Sequence, residues 1–141
     1  MKVSERQDVI SVEAAALAVQ AAVRKAAELG CKVNAAIVDS GGNLVAFLRM
    51  PGAFLHSIEI AQDKAYTAAS FGMPTGDFYK LIESDPALRD GLLERPRMTA
   101  FGGGHPIISD GMLLGGIGVS GASDDQDSQC ALAGLAAIGL G

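Results

Sequence analysis

Apolar residues return at three- and four-residue steps from Val12 to Leu29, at Val12, Ala16, Val19, Val23 and Ala26, while Glu13, Gln20, Arg24 and Glu28 fall mainly elsewhere. That spacing predicts a helix, with Ser11 as its cap and Gly30 as its stop. The period then changes. Val33, Ala35 and Ile37 alternate with Asn34, Ala36 and Val38, and 32–39 and 44–50 read as two strands joined by Ser40-Gly41-Gly42-Asn43. Neither face of the first strand is fully polar, which predicts cover on both sides of the sheet. Pro51-Gly52 ends the pair, and a second helix is predicted over 53–71 with Ile58, Ala61, Ala65 and Ala68 as its apolar row. Thr75 reads as the cap of a short helix carrying Phe78, Leu81 and Ile82, and Asp85-Pro86 starts another helical turn.

Beyond Met98 the chain turns to β again. Met98-Thr99-Ala100-Phe101 and 106–109 are short apolar runs, Asp110-Gly111 is a hairpin signal, and 112–119 follows as a strand. A last helix is predicted over 123–138, with Asp124, Asp125 and Asp127 at the positive end of its dipole. The order predicts an α+β fold of about five antiparallel strands with helices on the faces, in a single domain over 1–141.

Composition narrows the classes of function. Apolar residues make up 49% of the chain and charged ones 19%, so a packed core is expected rather than disorder. A net charge of −5 without a basic run argues against nucleic acid and anionic membrane as partners. No apolar run approaches the ~20 residues of a membrane span, and the first residues lack a secretory pattern, so a cytoplasmic protein is expected. Cys31 and Cys130 stand far apart and without metal-ligand spacing, which suits reduced thiols.

The chemistry-bearing residues gather around loops. Gly102-Gly103-Gly104 exposes backbone N–H groups and allows a ligand close approach, with Phe101 before it and His105 after it. Ordinary tight turns explain the other glycine runs, and none matches a phosphate-binding pattern. His105 is a candidate general acid or base, or an axial ligand to haem. His56 is the other axial candidate; with Glu59 and Asp63 on its helix face it lacks a second imidazole, so no metal site is assigned. Arg49 and Lys64 are the cations that could face a pocket. Lys64 lies between Ala61, Ala65 and Ala68 and needs a carboxylate, either Asp39 or one on a ligand.

Taken in order, these motifs resemble the GlcG/HbpS-like family (DUF336). They are Asp39-x-x-Gly42-x-Leu44 with Arg49, then Ala61-x-x-Lys64-Ala65-x-Thr67-Ala68, Pro74-Thr75, Gly102-Gly103-Gly104-x-Pro106-Ile107 and 115–121. The resemblance spans essentially the whole chain. It implies a PAS/profilin-like sandwich, homo-oligomers, and relatives that include haem-binding HbpS-type proteins and the C-terminal domain of corrinoid adenosyltransferases of the PduO type. It also implies haem or another small carboxylate-bearing ligand, in the company of catabolic operons. Two functions stay open: a binding protein using Asp39, Arg49, Lys64, Phe101, Gly102, Gly103, Gly104 and His105, or a metal-independent isomerase, hydratase or hydrolase with His105 as acid/base. In the second, the N–H groups of Gly103 and Gly104 would hold an oxyanion.

Overall fold

The computed structural model describes residues 1–141. Nine elements follow one another: α1 (Val12–Leu29), β1 (Asn34–Asp39), β2 (Leu44–Arg49), α2 (His56–Phe71), α3 (Thr75–Ile82), α4 (Pro86–Leu93), β3 (Gly104–Ser109), β4 (Met112–Ser120) and α5 (Asp124–Ala137). The strands form one sheet in the order β2-β1-β4-β3, with every neighbouring pair antiparallel. The fold is α+β.

The sheet has four strands, where the sequence suggests about five. Met98–Phe101 is the segment that differs. Its backbone is held by side chains instead of a neighbouring strand: the Thr99 N–H donates to Thr67 Oγ1 at 3.1 Å, and the Thr75 hydroxyl donates to Phe101 O at 2.6 Å. The apolar residues in this run fill a small core beside α3 and α4, where Met98 and Ala100 meet Phe78, Ile82 and Leu92. A short apolar run reads alike in both settings.

Helices cover both faces of the sheet. On one side α1 and α5 pack over Val33, Ala35, Ile37, Ile107, Ile117 and Val119. On the other, α2 lays Ala61, Ala65 and Ala69 against Ala36 and Val38. The inward row of α1 is Ala15, Ala18, Val19, Ala22 and Ala26, rotated from the predicted stripe, and Val12 and Leu17 face solvent. Small residues win the inward positions because they let the helix approach the sheet closely. Ser11 caps α1 through the Ala14 N–H, and Ser123 and Gln126 form a capping box on α5. No helix is long and apolar enough to cross a membrane.

A groove, a buried ion pair and the triple glycine

A groove of about 700 Å³ opens between α3, α4 and the 98–102 segment. Leu93, Met98, Ala100 and Phe101 form its apolar wall, and Tyr79 and Lys80 come from α3. Phe101 leaves 46% of its surface exposed, and the hydroxyl of Thr75 holds the carbonyl behind it. Thr75 is therefore not a helix cap; Pro74 takes that position, and the Thr75 side chain also accepts from the Gly104 N–H at 3.0 Å.

Lys64 lies directly behind this wall. It is 1% exposed, because α2 carries it inward between Ala61 and Ala68. Its Nζ donates to Asp127 Oδ2 at 3.0 Å and to Val119 O at 2.8 Å, and sits 5.0 Å from the centre of the Phe101 ring. The second oxygen of Asp127 accepts from the Ala122 N–H at 2.9 Å. Burial pushes Lys64 below its ordinary value, against the attraction of Asp127, and pushes Asp127 above its own, against Lys64 and the Ala122 N–H. Each member would be untenable here alone.

Gly103 seals the pair. Its φ is +120°, and a Cβ there would come within 2.8 Å of Lys64 Nζ and 2.9 Å of Asp127 Cβ. Only glycine turns the chain tightly enough to cover the ammonium. The neighbouring N–H groups are already engaged: Gly102 donates to Asp124 Oδ2 at 3.3 Å and Gly104 to Thr75. The predicted oxyanion cradle at Gly104 is thus filled by a threonine hydroxyl.

The remaining sequence candidates are dispersed. Asp39 closes the β1–β2 hairpin, accepting from the N–H groups of Gly41 and Asn43. Desolvation acts to raise Asp39, and the Asn43 and Gly41 donors together hold it below its ordinary value. It does not meet Lys64; Asp127 does. Arg49 is exposed on the β2 edge and donates to Ala53 O at 2.9 Å. His56 opens α2 beside Leu55 and Ile58 in a separate shallow groove of about 480 Å³. His105 is half-buried on β3 and faces α5, where Nε2 and Ser128 Oγ share a 2.7 Å hydrogen bond. Burial pushes its imidazole below the ordinary value, and the nearby Asp77 opposes that shift. Phe101, Gly102, Gly103 and Lys64 come together; Asp39, Arg49 and His56 stand apart.

A sequence model described as haem degrading protein HbpS-like matches residues 10–136. The chain belongs to the HbpS-like family. The corrinoid adenosyltransferase PduO of Salmonella typhimurium is 38% identical over 124 residues, covering 86% of this chain and 37% of PduO. This HbpS-like chain thus spans little more than a third of that relative's length. Among solved structures, the crystal structure of HbpS superposes with a TM-score of 0.87 at 38% identity, covering 95% of this chain and 93% of the other. The crystal structure of a PduOC:heme complex superposes at 0.86 with 35% identity, covering 94% and 97%.

Two residues of the site, Asp127 and Lys80, are not among the sequence candidates, and only the first carries a signal in the sequence. Asp127 lies on one helical row with Cys130, Ala131, Gly134 and Leu135, all buried, so its spacing marks it as inward-facing. Lys80 follows Phe78 and Tyr79 on a helix whose other face is packed, but nothing local shows that a groove opens beside it.

Proposed function

We propose that this chain is a small-molecule-binding protein that seats haem, or another flat carboxylate-bearing ligand, in the groove between α3, α4 and residues 98–102. The observation that carries the reading is the groove's build: ligand-sized, with the half-exposed Phe101 ring and Met98 as its wall. Such sites are typically about 300–1,000 Å³ and mostly apolar with a few placed polar groups. Lys80, exposed on α3 with its Nζ 3.8 Å from Asp77 Oδ1, is the cation of the groove lining that a ligand carboxylate would meet. The residues fit haem as a ligand class: an apolar face, a cation, and two groups able to donate to iron, the Met98 thioether and the Tyr79 phenol. Bound haem would supply redox and Lewis-acid chemistry; the protein's part is to hold it, shield one face and orient its carboxylates. The haem complex of the PduOC relative supports this reading.

Titrating the protein with haemin is expected to give a saturable Soret shift at one ligand per chain. Lys80→Glu is expected to weaken binding roughly tenfold, about 1.4 kcal/mol, and Met98→Ala to alter the spectrum. His56→Ala and His105→Ala leave both unchanged, since neither imidazole lines the groove. A featureless, non-saturating rise that Phe101→Ala does not change defeats the proposal.

A second reading, metal-independent catalysis on a small carboxylic acid with His105 as acid/base, draws support from one contact. Burial pushes the imidazole below its ordinary value, and Nε2 lies 2.7 Å from the Ser128 hydroxyl. In assays on 2-hydroxy acids and ring-cleavage products, His105→Ala is expected to lower turnover at least ~100-fold. Equal rates in the variant remove His105 from that role.

A further inference from the structure

Four glycines stand where α3 meets the 101–104 stretch, and packing demands three of them. A Cβ on Gly103 would lie 2.5 Å from Val119 O, and one on Gly104 would lie 2.6 Å from Lys64 O. On Gly102 it would press against the Asp124 Cβ at 3.2 Å and the Asp124 carbonyl oxygen at 3.3 Å. Gly76 is under no such demand. It lies within α3 in helical conformation, and a Cβ there would rest 3.7 Å from Gly102 Cα, an ordinary contact. Glycine costs a helix backbone entropy that alanine does not. Neither packing nor backbone conformation accounts for it at this position.

Its surroundings do. The Thr75 hydroxyl donates to Phe101 O at 2.6 Å and accepts from the Gly104 N–H at 3.0 Å, which straps the first turn of α3 to the 101–104 stretch. Gly76 and Gly102 face each other beside that strap, and both line the groove. They form a seam of bare backbone next to the half-exposed Phe101 ring. A side chain at position 76 longer than a methyl meets Gly102 and must turn into the groove. The missing side chain is space that a ligand can use. Gly91 on α4 also has room for a Cβ but lines no part of the groove, so it separates helix propensity from the effect of the seam.

We propose that Gly76 sets the width of the groove, so that the edge of a broad planar ligand crosses its bare backbone while the ligand's face stacks on Phe101. The inference rests on the reading of the groove as a ligand site and adds to it the residue that selects for breadth. A multi-ring plane stacked on one aromatic side chain extends beyond that ring and needs clear space beside it. A side chain at 76 occupies that space and rejects the ligand by steric clash, the repulsive half of specificity.

The test titrates haemin and iron-free protoporphyrin IX into the parent protein, Gly76→Ala, Gly76→Leu and Gly91→Ala, following absorbance and porphyrin fluorescence, and melts each protein without ligand. Gly76→Ala is expected to weaken both porphyrins about threefold and Gly76→Leu at least ~10-fold. Neither is expected to melt more than roughly 2 °C below the parent, and Gly91→Ala is expected to bind as the parent does. Parental affinity in Gly76→Leu overturns the proposal and leaves the groove reading standing. So does loss of haemin with protoporphyrin IX retained, which places the effect on iron ligation instead of width. Affinity that falls in step with melting temperature in both Gly76 variants marks a structural residue and overturns it too. If Gly76→Leu folds poorly, Gly76→Ala decides, because its methyl fits at contact distance; unchanged affinity there overturns the proposal. A parent protein that binds neither porphyrin saturably removes the groove reading, and the role of Gly76 with it.

Discussion

Asp127→Ala is expected to cost about 3–5 kcal/mol of folding stability, the cost typical of leaving one buried charge without its partner. Lys64 Nζ would keep the Val119 carbonyl and the Phe101 ring face but lose its only carboxylate, with 1% of its surface open to water. The Ala122 N–H would lose its acceptor as well. The lysine can escape by giving up its proton, and that fixes the sign of the pH dependence. Its folded pKa, already lowered by burial, falls further in the variant, so the unfolded chain binds the proton that the folded chain refuses. Stability of the variant therefore rises with pH, approaching its best as pH nears the ordinary lysine value of about 10.4. Urea melts at several pH values measure it. The double variant Lys64→Met, Asp127→Leu is expected to recover most of the loss, because desolvation penalty and Coulomb gain vanish together. A single variant within 1 kcal/mol of the parent would mean that water reaches the ammonium.

The same pair links the stability of the core to the groove. Lys64 from α2, Asp127 from α5 and the Val119 carbonyl from β4 meet beneath Gly103, and Phe101 rests on the ammonium from the groove side. Thr67 and Thr75 fix the segment on either side of it, through Arg97 O, the Thr99 N–H, Phe101 O and the Gly104 N–H. The wall of the groove is thus held by side chains reaching out from α2 and α3. Ligand affinity in the Asp127 variant should fall with the loss of that support, even though Asp127 touches no ligand.

Local patterns made the helices and both hairpins legible, because a 3.6-residue stripe or an Asp110-Gly111 turn is complete within a few residues. Lys64 among Ala61, Ala65 and Ala68 is visible as a cation on an apolar seam. Its partner is 63 residues away and hidden among three acids at the start of α5, where dipole complementarity explains all three equally well. Only the row through Cys130, Ala131 and Leu135 separates Asp127 from Asp124 and Asp125. The groove has no local signature at all: α3, α4 and residues 98–102 contribute to it from separate stretches, and the apolar run that borders it imitates a strand. Arg49 and His56 look like pocket residues in the sequence because they are polar groups near apolar ones. The sheet order sends Arg49 to the β2 edge, and α2 begins only at His56, which turns that imidazole toward a different surface.

Gly118→Ala is expected to remove at least ~3 kcal/mol, above the common range for an overpacked core. Gly118 lies near the end of β4, an interior strand, paired with Ala36 on one side and Gly104 on the other. A Cβ there would run into the Ala61 carbonyl and come within 2.5 Å of the Ala65 nitrogen and 2.9 Å of Lys64 Cβ. Those first two atoms are helix backbone, so no rotamer change relieves the clash, and α2 must lift from the sheet. Lifting it pulls Ala61, Ala65 and Lys64 out of register with Ala36 and Asp127 at once. For a chain of this size the loss corresponds to a fall in melting temperature of roughly 10 °C. Gly91→Ala is the control: it sits inside α4 with open space around its missing side chain, and it should gain up to about 1 kcal/mol from helix propensity alone. If both substitutions melt alike, α2 is not seated on bare backbone, and the close approach that buries Lys64 does not occur in solution.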